Sequence, residues 1–313
     1  MRVLSLVTND RARFYRQQTA GLRDRGHVVD TLAVPGSRDE SGDSVDHRPM
    51  SAYLKYYPRA VREAFRGYDL VHANYGLTAP PAVVQPSCPV VLSLWGSDLM
   101  GEYGWLSRAC SRAAEEVVVM SEEMAGYLDG DCHVVPHGID LRRFRPLPAD
   151  AARRELGWRD DAAHVLFPYP SSRGVKDFPR ARGIVDDVAA ADELDRPVEI
   201  HTVSGVPHDR MPWYMNAADA LLLTSKREGS PNSVKEALAC DLPVVSTDVG
   251  DVRSRLRGVT PSAVSDDDAE LVAALTRILH AGERSDGRES IAHLGLEHQL
   301  TRIERIYRSA LDA

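Results

Sequence analysis

The 313-residue sequence holds four cysteines, Cys88, Cys110, Cys132 and Cys240, and no two of them stand in a short C-x-x-C spacing. That scatter supplies neither a zinc-finger ligand set nor a disulfide framework, and it reads as small buried side chains. No apolar run approaches the roughly 18 to 20 residues needed to span a bilayer. Met1 to Thr8 is strand-like and too short for a signal peptide, so a cytoplasmic protein is expected. The dinucleotide fingerprint G-x-G-x-x-G and the phosphate loop G-x-x-x-x-G-K-[ST] are both missing, which sets NAD binding and ATP hydrolysis aside; H-E-x-x-H and G-x-S-x-G do not occur either. Basic residues are outnumbered by acidic ones, 38 to 46. The formal net charge of -8 argues against a nucleic-acid partner. The deficit is uneven, with 12 Arg/Lys against 9 Asp/Glu over residues 1–70 and 26 against 37 over the remainder. Lysine is the rarest basic residue, with four among the 38, and Lys176, Lys226 and Lys235 all fall in segments of interest below.

What is present is a pattern of short β-branched runs alternating with helical stretches, which marks doubly wound α/β domains. It occurs twice. The first set comprises residues 3–7, 28–34, 70–74, 90–95, 117–120 and 133–136; the second comprises 164–168, 198–203, 220–225, 243–248 and 262–265. The length suits two domains. Asp140 to Asp161 is charged and contains Pro146 and Pro148, so the linker is expected there, dividing residues 1–148 from 149–313.

Leu221 to Asp251 is the most informative stretch. An apolar strand, Ala220 to Leu223, runs through a polar turn into a helix for which Ser230 can serve as N-cap and Pro231 as first residue. Val234, Ala237 and Leu238 give that helix one apolar face, and it is expected to end at Asp241, before Pro243 and a second buried strand. The unit is β-turn-α-β in a parallel sheet, with the helix start at the strands' carboxyl edge. Free N–H groups and the positive dipole end favour an anion there, a diphosphate above all. Glu228 lies in the turn and Glu236 within the helix, off its core face. By position alone they fit a capping-region acid and a solvated helix charge. That is the ordinary place for a helix carboxylate; as acceptors for sugar hydroxyls beside a diphosphate they would instead mark a nucleotide-sugar.

This segment resembles the signature of the family 4 retaining glycosyltransferases, two glutamates separated by seven residues around a Gly-Ser-Pro-Asn-Ser turn. The resemblance implies a GT-B fold, two Rossmann-like doubly wound domains facing across a cleft. The first would bind the acceptor and the second the nucleotide-sugar, with the terminal helix, about 296–313, packing back on the first. It implies that Glu228 faces the donor sugar, that Glu236 holds the ribose hydroxyls, and that Gly229, Ser230, Pro231, Asn232 and Ser233 form the diphosphate turn. PHGIDLRRFRP (136–146) resembles the family's segment at the end of the first domain, with His137 where asparagine is usual. PSSRGVKDF (170–178) resembles the loop that grips the donor diphosphate, which makes Arg173 and Lys176 candidates to neutralise charge on the leaving nucleotide.

In the first half, DLVHANYG (69–76) and VLSLWGSDL (91–99) place polar residues at strand carboxyl ends, where open sheets bind ligands. Trp95 stands where many relatives carry histidine; it cannot accept a proton and is left stacking or shaping. His72 and Asp98 are the other cleft candidates. Thr8-Asn9-Asp10 replaces the family's glycine pair after the first strand. Asp129-Gly130-Asp131 has the form of a metal-binding Asp-x-Asp but sits between a helix and a strand, as a turn would.

The function expected is metal-independent, retaining transfer of a sugar from a nucleoside diphosphate to an acceptor hydroxyl in glycan or glycolipid biosynthesis. It needs no cofactor and no metal site. The expected partners are the nucleotide-sugar and a glycan or lipid-linked acceptor. The basic stretch Lys55, Arg59, Arg62 and Arg66, interleaved with Tyr53, Tyr56 and Tyr57, suggests peripheral contact with an anionic membrane. Pro58 interrupts that helical pattern, which favours an ordinary solvated face. The alternatives are a non-catalytic nucleotide-sugar-binding regulatory subunit and a GT-B nucleotide-sugar epimerase.

Overall fold

Two all-parallel sheets organise the computed structural model, which describes residues 1–36, 50–191 and 193–313. The first contains β1 (Arg2–Val7), β2 (Val28–Ala33), β3 (Leu70–Asn74), β4 (Val90–Ser93), β5 (Glu116–Val119) and β6 (His133–Val134), in the order β2-β1-β3-β4-β5-β6. The second contains β7 (Ala163–Phe167), β8 (Val198–Thr202), β9 (Ala220–Leu223), β10 (Val244–Ser246) and β11 (Ala263–Val264), in the order β11-β10-β9-β7-β8. Every expected strand segment forms a strand. Central strands are covered on both faces and so read as unbroken apolar runs, as in β9, where all four residues are buried. Burying a leucine contributes roughly 1.5–3 kcal/mol, so the four-residue β9 is held by its neighbours more than by its length. The edge strands β2 and β8 are only partly buried.

Among the described residues the chain divides between Gly138 and Ile139, with Leu296–Ala313 clustering with the first unit. The division precedes the expected boundary at 148/149. The segment expected as linker contains the helix Ala149–Leu156, which belongs to the second unit. Ala152 is fully buried there, and Arg153 reaches the Ala217 carbonyl at 3.0 Å and Asp219 at 2.7 Å. Its charges are the outer face of an amphipathic helix.

The first unit is completed by the helix Leu296–Asp312, which lies on the helix Arg13–Asp24. Gly21 permits the approach, since a Cβ there would sit 2.4 Å from a methyl of Leu300. Arg25 pairs with Glu297 at 2.6 Å and Glu304 at 3.1 Å, and His27 Nε2 meets Glu304 at 2.8 Å. Among the described residues no helix is long and apolar enough to cross a membrane.

The helix Met50–Ala64 runs through Pro58 without a break, contrary to the expectation that proline interrupts it. Proline removes the bond to the carbonyl four residues back, and that residue, Leu54, is exposed to solvent that can serve the carbonyl instead. Tyr53 and Tyr56 are buried, with the Tyr56 hydroxyl donating to the Leu32 carbonyl at 3.0 Å; Lys55, Arg59, Arg62 and Arg66 are exposed.

Candidate functional site

In the second unit the strand order reverses between β7 and β9, and the segments leaving these two strands diverge to opposite faces of the sheet. That divergence opens the crevice in which doubly wound sheets take ligands. Lys176 follows β7 and Glu228 follows β9, and they form an ion pair with side chains only 5% and 14% exposed. Ser225 Oγ donates to the same Glu228 oxygen at 2.7 Å, and the Lys176 ammonium lies 3.8 Å from the centre of the Tyr169 ring. The Tyr169 hydroxyl meets Ser233 Oγ at 2.5 Å, which ties the loop after β7 to the first turn of the helix Asn232–Ala239. The loops are clamped beneath: Thr224 Oγ1 donates to the carbonyls of Lys176 and Asp177 at 3.0 Å, and Lys226 N to that of Val175 at 2.9 Å. Asp177 takes φ 54°, an unfavourable conformation for a non-glycine residue, at the start of the helix Phe178–Ala190.

The helix after β9 begins one residue later than expected. Pro231 is its N-cap, and its side chain offers the first-turn amides no acceptor. Ser230 instead donates its hydroxyl to Asp251 Oδ2 at 2.7 Å, and Arg255 Nε reaches the same oxygen at 2.8 Å. The helix ends at Ala239, and Asp241 follows at φ 53°. Asn232 Oδ1 is buried with no hydrogen-bond partner among the described residues. The Gly229 carbonyl accepts from Asp251 N at 3.1 Å.

Glu236 is not a solvated helix charge. It is 9% exposed, and its carboxylate meets His208 Nε2 at 2.8 Å, with the His208 ring 5.1 Å from that of Phe144. Lys235 is buried as well, and burial lowers its pKa from 10.5 to about 8 despite the attraction of Asp251. Arg173 lies exposed at the start of the short turn Gly174–Lys176. The structure therefore links Lys176, Glu228 and, through Tyr169, Ser233 at the helix start, sets Glu236 with His208 a turn further along the same helix, and leaves the exposed Arg173 outside these bonds. Sequence reasoning missed Tyr169, Ser225, His208 and Asp251. All four follow strand carboxyl ends, a signal that was available.

In the first unit the corresponding reversal lies between β1 and β3. There, Trp95 is half-buried among Phe14 (4.7 Å between ring centres, edge-on), Tyr75 (5.9 Å) and His137 (5.8 Å). Phe14 stacks on His137 at 3.9 Å. Tyr75 carries φ 104°, a further unfavourable backbone at a strand exit. The remaining two cleft candidates serve the interior. His72 is 1% exposed, its ring nitrogens engaged by the Tyr307 hydroxyl at 2.7 Å and Ser93 Oγ at 2.8 Å, and burial lowers its pKa to about 3. Asp98 is 2% exposed and accepts from the backbone N–H groups of Gly76, Trp95 and Gly96 at 2.8 to 3.1 Å. Its carboxylate fixes the turn that carries Trp95.

Two doubly wound parallel units, as found here, define the GT-B class of fold. Known proteins agree. Residues 12–143 match the sequence model of Glycosyltransferase Family 4, and residues 183–281 that of Glycosyl transferases group 1. TuaC of Bacillus subtilis, named provisionally as a teichuronic acid biosynthesis glycosyltransferase, is 32% identical over 242 residues, 68% of this chain and 61% of that protein. The chain thus spans less than two thirds of that relative. A D-inositol 3-phosphate glycosyltransferase of Catenulispora acidiphila is 26% identical, with 86% of this chain and 78% of that protein aligned. Among solved structures, sucrose-phosphate synthase from Thermosynechococcus elongatus superposes with a TM-score of 0.76 at 20% identity over the whole of both chains. Anabaena HepE in complex with UDP-glucose gives 0.70 at 14% identity over 99% of this chain and all of that one. The two parts of the chain thus each resemble glycosyltransferase sequences, the first those of Glycosyltransferase Family 4.

Proposed function

We propose that the protein transfers a sugar, with retention, from a nucleoside-diphosphate sugar to an acceptor hydroxyl in surface-glycan, exopolysaccharide or glycolipid biosynthesis. The observation that carries this reading is the Lys176–Glu228 pair, tied through Tyr169 and Ser233 to the start of helix Asn232–Ala239, with the buried Glu236 a turn further along that helix. An ammonium and free amides suit the two phosphates, whereas the carboxylates suit polyol hydroxyls at either end of them. Lys176 would neutralise charge on the leaving nucleotide, a contribution that grows as the bond breaks. The leaving phosphate oxygen takes the acceptor proton on the same face, so no protein nucleophile and no metal is required. Relatives named for teichuronic acid and lipopolysaccharide core biosynthesis support the glycan class, and the UDP-glucose complex of a structural neighbour supports the donor class.

The first unit is the proposed acceptor side. Trp95 and Phe14 offer half-buried ring faces of the kind on which sugars stack. A lipid-linked acceptor is favoured by one further observation. Leu54, Phe65 and Val84 are 72%, 60% and 68% exposed beside Lys55, Arg59, Arg62 and Arg66. Phe65 and Val84 line a groove of ≈ 640 Å³ together with Tyr57, Val61, Pro80 and Pro81. Apolar and basic groups together suit an anionic membrane surface. Co-sedimentation with vesicles is expected to rise with anionic lipid content; indifference to it rejects the membrane contact.

The direct test is thermal stabilisation by a panel of nucleoside diphosphates and their sugars, followed by transfer assays with the selected donor. One nucleotide is expected to stabilise selectively, and its sugar to be transferred. Binding without transfer or hydrolysis turns the reading to a regulatory subunit, and inversion of the sugar without acceptor turns it to an epimerase.

A further inference from the structure

The second unit carries a side-chain cluster for which donor binding has no use. His164 is the second residue of β7, and Glu199 and His201 are the second and fourth of β8. The strands pair in parallel with His164 opposite Glu199. Alternate residues of a strand share a face, so all three side chains project from the same face of the sheet. His164 Nδ1 lies 2.9 Å from His201 Nε2 and 3.7 Å from Glu199 Oε2, and the last two atoms are 3.6 Å apart. Ligands about 2.0–2.1 Å from a tetrahedral ion stand about 3.3 Å from one another. The triangle therefore has the right size, with its short edge needing to open by a few tenths of an ångström.

The protonation pattern also fits. His164 Nε2 is 2.7 Å from the carbonyl of Arg159. A carbonyl only accepts, so this nitrogen holds the proton and Nδ1 turns its lone pair toward His201 and Glu199. A metal-binding imidazole is fixed by such an outer hydrogen bond. The His201 ring is held by stacking on Trp158, 3.6 Å away and inclined by 13°. Glu199 directs Oε2 at the imidazoles, while Oε1 lies 4.0 Å from the Arg159 guanidinium. His164 is fully buried, but His201 and Glu199 are 19% and 34% exposed along the edge strand, which leaves a path for an ion.

We propose that His164, Glu199 and His201 form a site for a divalent transition ion of the zinc class, with solvent as the fourth ligand. Two neutral imidazoles and one carboxylate suit such an ion better than magnesium or calcium, which prefer oxygen. The site starts from the second residues of β7 and β8, whereas Lys176 and Glu228 follow strand carboxyl ends, so the ion takes no part in the transfer chemistry. It pins the edge strand β8, whose chain continues to His208.

The intact protein, stripped with chelator, incubated with zinc chloride and passed over a desalting column, is expected to retain about one zinc per chain and to melt at a higher temperature than the stripped form. Glu199→Gln and His201→Gln are each expected to weaken zinc at least about tenfold and to abolish the melting shift. Failure of the wild type to retain zinc, or equal retention by the double variant, overturns the proposal. Cobalt(II) gives an answer without any variant. The strong visible bands of four-coordinate cobalt with no sulfur charge-transfer band are expected. The faint spectrum of the six-coordinate ion, or a thiolate band from a cysteine site, overturns it equally.

Discussion

Lys176 and Glu228, 52 residues apart in sequence, meet as an ion pair over the ring of Tyr169, at a depth where neither charge has free access to water. Removing one member of such a pair strands the other. Lys176→Met and Glu228→Gln are each expected to lower stability by about 3 kcal/mol, and the double variant to recover most of that loss. Transfer behaves differently, because each group is proposed to act on the donor: all three variants should lose about 100-fold or more in kcat/KM. Urea unfolding beside transfer assays separates the two effects. Full activity in Glu228→Gln would sink the assignment.

Glu236 and His208 test the ribose end. Glu236→Ala is expected to weaken the selected nucleoside diphosphate by about 10- to 100-fold, the worth of hydrogen bonds to a charged group. His208→Ala, which removes only the positioning partner, should cost less. Titration with the 2′,3′-dideoxy nucleotide is the control, since a carboxylate that holds ribose hydroxyls makes no difference to a ligand without them.

Gly250 backs the turn proposed to hold the donor. It adopts φ 56°, and a Cβ there would lie 2.4 Å from the Gly229 carbonyl oxygen and 2.9 Å from that of Glu228. Gly250→Ala must therefore displace the turn itself. The expected result is a loss of about 1–3 kcal/mol in stability together with weaker nucleotide binding, read by calorimetry on the same sample.

Lys235 gives a pH signature. Its folded pKa of about 8 lies below the unfolded 10.5, so between those values the unfolded chain binds the extra proton. Stability attributable to this residue therefore rises as pH rises from 8 to 10.5. Comparison with Lys235→Met removes the alkaline titration of the tyrosines, which both chains share. The stability of wild type relative to the variant should climb by roughly 3 kcal/mol over that window, at about 1.4 kcal/mol per unit. A flat difference would contradict the burial of a chargeable amine.

The strands were legible because parallel central strands leave their burial in the sequence as unbroken apolar runs, and Ala220–Leu223 needs no partner to be recognised. The helix start was legible to within one residue. What escaped was set by tertiary partners. Ser230 looks like an N-cap locally, yet Asp251, 21 residues on, claims its hydroxyl. Glu236 points off the core face by helical arithmetic, but His208 covers it. His72 and Asp98 sit at strand ends in the positions of ligand-binding groups, and only the structure shows a tyrosine from the last helix and three backbone amides already holding them. The charged stretch before β7 read as a linker because charge on one helical face resembles charge throughout.

The first unit draws its closing helix from residues 296–313, after the whole of the second unit has been passed. During synthesis the two halves therefore mature in the reverse of their order in the sequence. The second sheet can settle once residue 295 has emerged, while the first waits with the surface under Gly21 and the His72 ring uncovered until Leu300 and Tyr307 arrive. A lesion near residue 300 is thus a lesion of the amino-terminal half, and a stalled ribosome holds a folded second unit behind an unfinished first one.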